Sequence, residues 1–191
     1  MIDKIWNKKA AGVLPALALF LNILINTILD YISKYLAFLA IEDLGQNVSF
    51  QKGFKYRYPK NISLGNNCCV GRNVEFSTEI LDGMLRIKDN VQINRNCFID
   101  FSGGVYIDSN ALISDNVKIY THTHGLNPRS CPRGIPLEIG KNVWLGAASS
   151  IMHNVTRIGE NSIVAANSVV TKNVPSNVIV AGSPAKVIKQ L

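Results

Sequence analysis

An apolar residue, usually branched, recurs every six positions through most of the chain after residue 63. These residues form five groups of three, and each group steps by six and six before a longer gap leads to the next. A small or turn-forming residue commonly follows the apolar one, as at Gly65, Gly140 and Gly146. The fifteen positions are Leu64, Val70, Phe76, Ile87, Ile93, Ile99, Ile107, Ile113, Ile119, Ile139, Leu145, Ile151, Ile158, Val164 and Val170.

A sustained period of six fits neither a helix, which repeats every 3.6 residues, nor a half-exposed strand, which alternates every two. It fits a triangular solenoid, in which each coil has three short strands and each strand turns one apolar side chain inward. Because neighbouring coils bury each other's apolar edges, about five coils must stack to make one core. The sequence therefore predicts an all-β solenoid.

The repeat pauses within residues 118–151, where a loop rich in Pro, Gly and Arg intervenes. Two of the three histidines of the chain, His122 and His124, stand at the start of this loop. A repeat that pauses at a histidine-bearing loop is the best candidate for a reactive site. The third histidine, His153, is expected at a coil corner as a surface residue.

The amino-terminal third has a different character, because no residue between Lys9 and Asp30 is charged. Its length reaches the ~18 apolar residues of a membrane-spanning helix, but Pro15 interrupts it and polar residues such as Asn22 and Asn26 recur at helical spacing. Three interpretations stay open: a helix or hairpin on a membrane surface, a spanning anchor, or helices packed on the main domain or on a partner subunit.

The expected organisation has two parts. Residues 1–60 form an apolar helical segment followed by a basic connector (42–60), and residues 61–191 form the solenoid, with an inserted loop at 125–137. The net charge of +7, without a nucleic-acid motif, favours anionic cofactors or lipid surfaces over DNA. The four cysteines lack zinc-ligand spacing, which indicates free thiols in a reducing compartment.

The segments LEIGKNVWLGAASSI (137–151) and VTRIGENSIVAANSVVTKNVPSNVIVAGSPAKVI (155–188) resemble the carboxy-terminal signature of the hexapeptide-repeat acyltransferases. The closest resemblance is to the sugar O-acetyltransferases, namely the maltose, galactoside, nodulation-factor and surface-polysaccharide enzymes, and it covers roughly residues 64–191. It implies a left-handed parallel β-helix, against the usual right-handed crossover. It also implies a homotrimer that binds acetyl-coenzyme A between subunits, with no metal.

The resemblance assigns the catalytic residues. When the loop is aligned on Leu126 and Pro128, the general base of the family falls on His124, and His122 becomes a neighbour that orients the acceptor or points elsewhere. Relatives have an Asn close to the base where this chain has Asp100. A carboxylate there is expected to hold an imidazole tautomer or to anchor a sugar hydroxyl. Asp100 is also an ordinary position of a hexapeptide.

The resemblance also assigns a cofactor site. Trp144 matches a tryptophan beside the cofactor arm and acceptor pocket, although a corner tryptophan also suits packing on a neighbouring subunit. Basic residues near the nucleotide end suit its phosphates, although such residues are equally often solvated. The residues expected along the pantetheine arm are Gly146, Ala147, Ala165 and Ala166, and those at the nucleotide end are Thr171, Lys172, Lys186 and Lys189.

The predicted function is transfer of acetyl from acetyl-coenzyme A to a saccharide hydroxyl in cell-surface polysaccharide synthesis, with direct transfer in a ternary complex. The apolar residues 1–41 suggest a lipid-linked acceptor and a cytoplasmic protein peripheral to the inner face of the cell membrane. One alternative is a small soluble acceptor such as a free sugar, serine or an antibiotic. Others are a zinc hydratase on the same solenoid, for which the histidines are poorly spaced, and a trimeric, non-enzymatic module on a membrane surface.

Overall fold

The computed structural model describes residues 2–191, with side chains from residue 13 onward. The chain begins with one continuous helix, α1 (Ile2–Ala40), which contains Pro15. The expected amino-terminal helical segment is therefore a single helix and not a hairpin.

Short strands, three to a coil, make up most of the remaining chain. A 3₁₀ turn (Pro59–Asn61) precedes the second coil, and a short hairpin, β13–β14, separates the fourth coil from the fifth. The strands are β1 (Asp43–Leu44), β2 (Ser49–Phe50), β3 (Lys55–Tyr56), β4 (Ile62–Leu64), β5 (Cys69–Val70), β6 (Glu75–Ser77), β7 (Leu85–Ile87), β8 (Gln92–Ile93), β9 (Phe98–Asp100), β10 (Val105–Ile107), β11 (Leu112–Ile113), β12 (Lys118–Ile119), β13 (His122–Thr123), β14 (Arg133–Gly134), β15 (Leu137–Ile139), β16 (Trp144–Leu145), β17 (Ser150–Ile151), β18 (Arg157–Ile158), β19 (Ile163–Val164), β20 (Val169–Val170), β21 (Val178–Gly182) and β22 (Ala185–Gln190).

The strands stack into three parallel sheets, which form the faces of a triangular solenoid. The first face contains β1, β4, β7, β10, β15 and β18; the second contains β2, β5, β8, β11, β16, β19 and β21; the third contains β3, β6, β9, β12, β17 and β20. The predicted parallel solenoid with an amino-terminal helix is confirmed. It has six complete coils rather than about five, because residues 43–56, within the expected connector, form the first coil.

The six-residue period corresponds to the core. All fifteen positions of the repeat are buried, with at most 3% of each side chain exposed. In the register of the first face, for example, Ile107 lies between Ile87 and Ile139. Each inward side chain thus packs on its equivalent in the coils on either side, and an apolar residue of this size stabilises the fold by about 1.5–3 kcal/mol when fully buried.

Asparagines mark the corner between the first and second faces. One asparagine in each coil adopts a positive φ of 55 to 62° there, a left-handed conformation that Asn tolerates better than most residues. Each side-chain amide donates to the Oδ1 atom of the next asparagine, at 2.8 to 3.2 Å, in a ladder along the solenoid. The residues are Asn47, Asn67, Asn90, Asn110, Asn142, Asn161 and Asn177.

Helix α1 docks on the first coils through its polar stripe. Asp30 accepts a hydrogen bond from the backbone N–H of Lys52 at 2.5 Å and forms an ion pair with Arg72 at 3.3 Å. The side chain of Lys52 also donates a hydrogen bond to Asn26. Ala37 is buried near the end of the helix. Two residues of the polar stripe, Asn26 and Asp30, therefore face the solenoid, and the surface left to the surroundings is mainly apolar.

Candidate functional site

Extra residues at the third corner, where the chain passes from the third face to the first face of the next coil, build the candidate site. The repeat takes eleven residues from Phe76 to Ile87, eight from Ile99 to Ile107 and twenty from Ile119 to Ile139. Because successive coils stack in register, these three insertions lie above one another. They carry, in order, Glu79, Asp100 with Ser102, and the two loop histidines.

The histidines lie on the antiparallel hairpin of β13 and β14, in which His122 pairs with Gly134. The hairpin packs against the backbone at Gly103, where a Cβ atom would lie 2.2 Å from the Ile135 nitrogen and 2.4 Å from the Thr121 oxygen. Only a glycine allows this approach. The absence of a side chain at Gly103 thereby sets how closely the histidine-bearing hairpin packs on the preceding coil.

Asp100 is a buried carboxylate that accepts five hydrogen bonds at this corner, the longest of them from the Thr121 hydroxyl at 3.3 Å. Oδ1 accepts from the Ser102 hydroxyl at 2.5 Å and from the Ser102 N–H at 3.1 Å, and Oδ2 accepts from the Thr121 N–H at 2.7 Å and from His122 Nδ1 at 2.8 Å. Burial by itself would raise the pKa of Asp100, but the hydrogen bonds from Ser102, Thr121 and His122 outweigh it and hold that pKa below its ordinary value. Asp100 is therefore ionised.

Both imidazoles are held by their Nδ1 atoms. His122 donates to the Asp100 carboxylate, and His124 donates to the Ser130 carbonyl at 2.6 Å. Because these partners only accept, the proton of each neutral ring lies on Nδ1 and the lone pair lies on Nε2. The two Nε2 atoms lie 3.7 and 3.4 Å from Oε2 of Glu79, respectively.

The two predicted catalytic residues, His124 and Asp100, do not hydrogen-bond to each other in the structure. Asp100 holds an imidazole tautomer, as the sequence allowed, but the ring is that of His122, and His124 is held by Ser130. Asp100 is 1% exposed and its contacts lie within the chain, so it does not reach a sugar hydroxyl directly. We did not predict Glu79 or Ser130; the eleven-residue gap after Phe76 is the sequence signal that marks the insertion carrying Glu79.

A pocket of about 220 Å³ adjoins His124, whose side chain is 29% exposed against 16% for His122. A larger groove of about 580 Å³ lies on the first face, and no histidine lines it. The small pocket is the one beside reactive groups. Its lining residues are Thr123, His124, Gly125, Ser130, Cys131 and Arg133.

The four cysteines are free thiols, as predicted. Burial raises the pKa of the Cys97 thiol to about 11, and Cys97 donates to the Ser114 carbonyl at 3.0 Å. Such a thiol is inert at neutral pH.

The residues expected at the pantetheine arm lie on the second face and at the second corner, where the chain passes from the second face to the third. Trp144 is 46% exposed and donates from Nε1 to the Ser114 hydroxyl at 2.9 Å. Packing between coils already requires a glycine at position 146, because a Cβ atom there would lie 2.6 Å from the Ala166 nitrogen of the next coil. Ala147 and Ala165 follow β16 and β19 at the same corner.

The residues expected at the nucleotide end are divided between two edges. Thr171 and Lys172 follow β20 at the third corner, whereas Lys186 and Lys189 lie on β22, which pairs antiparallel with β21 at the end of the second face. All three lysines are exposed. Within one chain, the structure does not bring the histidines together with Trp144 and the small residues of the second corner.

Residues 136–172 match the family described as bacterial transferase hexapeptide (six repeats). The fifth and sixth coils of the chain therefore carry the repeat of this family. The predicted resemblance is confirmed, and the matched segment begins where the hairpin loop ends and the fifth coil starts.

Curated relatives of the chain include two galactoside O-acetyltransferases. The one from Escherichia coli (strain K12) is 36% identical over 112 residues, covering 53% of this chain and 55% of the relative. The one from Lactococcus lactis is 30% identical over 141 residues, covering 67% and 62%, respectively. The chain thus spans little more than half the length of the curated relatives it matches.

Among solved structures, a hexapeptide-repeat containing acetyltransferase from Vibrio cholerae is 28% identical, with a TM-score of 0.63, covering 94% of this chain and 92% of the Vibrio chain. A structure of the Vibrio protein complexed with acetyl coenzyme A aligns with a TM-score of 0.54. The likeness therefore extends over nearly the whole of both chains, beyond the segment that matches the family model.

Proposed function

We propose that this protein transfers an acetyl group from acetyl-coenzyme A to a saccharide hydroxyl, with His124 as general base. The observation that carries the proposal is the geometry of His124: Ser130 fixes its Nδ1 proton, so its Nε2 lone pair stands beside an accessible pocket. Its galactoside O-acetyltransferase relatives and the Vibrio complex with acetyl coenzyme A support the choice of acceptor and donor.

An alcohol is too weak an acid to attack a thioester unaided at neutral pH, so the reaction needs a base. Nε2 of His124 takes the hydroxyl proton as the oxygen–carbon bond forms, and it returns the proton to the coenzyme A thiolate as the carbon–sulfur bond breaks. Glu79, 3.4 Å from Nε2, stabilises the imidazolium between these steps. Asp100 orients His122 beside it.

The placement of the predicted residues on two edges supports a site between subunits. Trp144 and the small residues of the second corner cannot reach the histidines of their own chain, but a second copy can present that edge to the third corner. A closed trimer of triangular prisms makes three equivalent seams of this kind. We therefore propose a homotrimer in which one subunit supplies His124 and its neighbour supplies part of the coenzyme A site.

The exposed surface of α1 supports attachment to a membrane. The stretch Val13–Ala40 is long and apolar enough to cross a bilayer, and its most apolar window contains no buried residue. Asp30 and Asn26 bond to the solenoid, so these two polar residues of the helix do not have to be solvated by water. We propose that the helix inserts in the cytoplasmic membrane from its inner face, where a lipid-linked saccharide would be the acceptor.

The activity is tested by following free thiol release from acetyl-coenzyme A with a panel of nucleotide-linked, lipid-linked and free sugars, together with serine. His124→Ala should lower kcat by roughly 10²- to 10⁴-fold, whereas His153→Ala, a histidine at the same corner on the next coil, should have little effect. Equal loss in the two variants, or no turnover with any acceptor, would overturn the proposal. Turnover with only a small soluble acceptor would refute the lipid-linked part.

The membrane proposal is tested with the full chain by flotation with anionic lipid vesicles. Phe20→Lys combined with Leu24→Lys, both exposed on α1, should abolish flotation, and Leu81→Lys, exposed on the solenoid, should not. A full chain that stays with the soluble fraction would contradict attachment. Cross-linking between helices would then test whether partner subunits cover them.

A further inference from the structure

Glu79, His122 and His124 bring three electron-pair donors to one point of the third corner. Their ligand atoms, one carboxylate oxygen and two imidazole nitrogens, all lie within 4.8 Å of one another. In the neutral rings, both Nδ1 protons are already donated, to Asp100 and to Ser130. The three converging atoms therefore all accept, and none of them carries a proton to share with the others.

Acceptors that face one another in this way are held together by a hydrogen-bond donor, such as water, or by a cation between them. A proton on one imidazole does so for a single pair, and a divalent metal ion does so for all three atoms. Zinc binds imidazole nitrogen at about 2.0–2.1 Å and carboxylate oxygen at about 2.0–2.2 Å, so tetrahedral ligand atoms lie roughly 3.3 Å apart. The Nε2 to Oε2 distances of 3.4 Å for His124 and 3.7 Å for His122 are close to this spacing.

The partners behind the rings also suit a metal site. A histidine that binds a metal usually donates its other N–H to a carboxylate or a backbone carbonyl, which fixes the ring and makes it a better ligand. His122 has the buried carboxylate of Asp100, and His124 has the Ser130 carbonyl. Ser102 also donates from its hydroxyl to Asp100 and accepts from the Glu79 N–H at 2.8 Å, which ties the turn carrying the third ligand to the same network.

We propose that Glu79, His122 and His124 form a binding site for a divalent ion of the zinc class. The fourth position, on the open side of Glu79, is left to water or another small ligand. The site needs no second subunit, since all three ligands come from one chain. If His124 is the general base proposed above, a bound ion occupies its Nε2 lone pair, so zinc is a reversible inhibitor of acetyl transfer; this consequence rests on the proposed function, and the binding does not.

Binding is measured by calorimetric titration of the metal-free full chain with zinc chloride. The wild type should bind one ion per chain, and Glu79→Gln should weaken that binding at least tenfold. Asp82→Asn, an exposed carboxylate outside the cluster, and Cys131→Ser, the thiol in the neighbouring pocket, should leave it unchanged. No saturable binding, or an equal affinity for Glu79→Gln, would overturn the site, and loss of binding in Cys131→Ser would assign the ion to the thiol instead.

A crystal of the zinc-loaded protein locates the ion independently of activity. Anomalous scattering at the zinc edge should give one peak within bonding distance of both Nε2 atoms, and a peak elsewhere would refute the site. Transfer assays with added zinc then test the consequence. Binding without inhibition would reject His124 as base and retain the metal site, whereas inhibition that Glu79→Gln relieves would support both.

Discussion

Oδ2 of Asp100 lies 2.8 Å from Nδ1 of His122, which joins a buried carboxylate of the third coil to an imidazole that follows the fourth. The two residues are 22 positions apart, about one turn of the solenoid. The contact exists because both coils carry extra residues at the same corner. His124 instead bonds to a neutral carbonyl and is more exposed. The two neighbouring imidazoles therefore differ in the charge of their hydrogen-bond partner and in their exposure.

The first prediction concerns the charge of Asp100. Its folded pKa lies below the unfolded value of about 3.9, so its ionised form stabilises the fold fully above that unfolded value and loses this contribution as the pH falls through the folded value. The Asp100→Asn variant has no ionisable group at this position, so it lacks this pH-dependent contribution to the free energy of unfolding. The difference in free energy of unfolding between wild type and Asp100→Asn should therefore shrink as the pH falls below about 4.

Urea unfolding at a fixed protein concentration, from pH 6 down to the acid limit of folding, measures this difference. Asp82→Asn, at an exposed surface position, serves as the control and should follow the wild type closely. A wild-type advantage over Asp100→Asn that stays constant through the acid range would show that the carboxylate is not the ionised partner of His122.

The second prediction concerns the contact between the β13–β14 hairpin and Gly103. Gly103→Ala places a methyl group 2.2 Å from a backbone nitrogen, so the hairpin must move, and overpacking of this kind costs about 1–3 kcal/mol. The imidazole signals of His122 and His124 in NMR spectra should shift with it. Gly125→Ala is the matched control: its Cβ meets nothing within 4 Å, and its cost is limited to the positive φ of 65°. Unshifted histidine signals in Gly103→Ala would contradict the role assigned to Gly103.

The third prediction concerns Ala148, which has a φ of 58° at a corner where Asn116 and Asn167, in the coils on either side, have the same conformation. A left-handed conformation costs roughly 1–2 kcal/mol in an ordinary residue. Ala148→Asn should raise the free energy of unfolding by about 1 kcal/mol, and Ala148→Gly should also raise it, through the backbone alone. Thermal unfolding would test both, and a destabilised Ala148→Gly would show that the backbone is not strained there.

The fourth prediction concerns a buried hydroxyl. Ser149 is fully buried, and its Oγ has no hydrogen-bond partner among the residues whose side chains are described. An unpaired buried hydroxyl costs about 1–3 kcal/mol, so Ser149→Ala should leave stability unchanged or raise it. Ser162→Ala is the contrast, because that buried hydroxyl donates to the Gly159 carbonyl at 2.5 Å and its loss should destabilise by about 1 kcal/mol. The opposite order of the two variants in urea unfolding would contradict this assignment.

Much of the fold could be predicted because burial repeats with the geometry of the coil. The fifteen apolar positions, from Leu64 to Val170, are all core residues. The asparagines with positive φ are a second periodic feature of the same coils. The first coil was not predicted because two of its three inward residues are aromatic rather than aliphatic. Leu44, Phe50 and Tyr56 nevertheless keep the step of six and align with Leu64, Val70 and Phe76 of the second coil.

The sequence by itself determined that this chain forms stacked triangular coils with an interrupting, histidine-bearing loop, because inward-facing positions must be apolar at a fixed step. Only the tertiary structure decided which residues meet at the interruption. Asp100 meets His122, Ser130 holds His124, and Glu79 faces both, because the lengths of three separate insertions set which side chains lie above one another. Likewise, the polar stripe of α1 meets Lys52 and Arg72, since the direction in which a helix leaves the first coil is fixed by packing and not by its own periodicity.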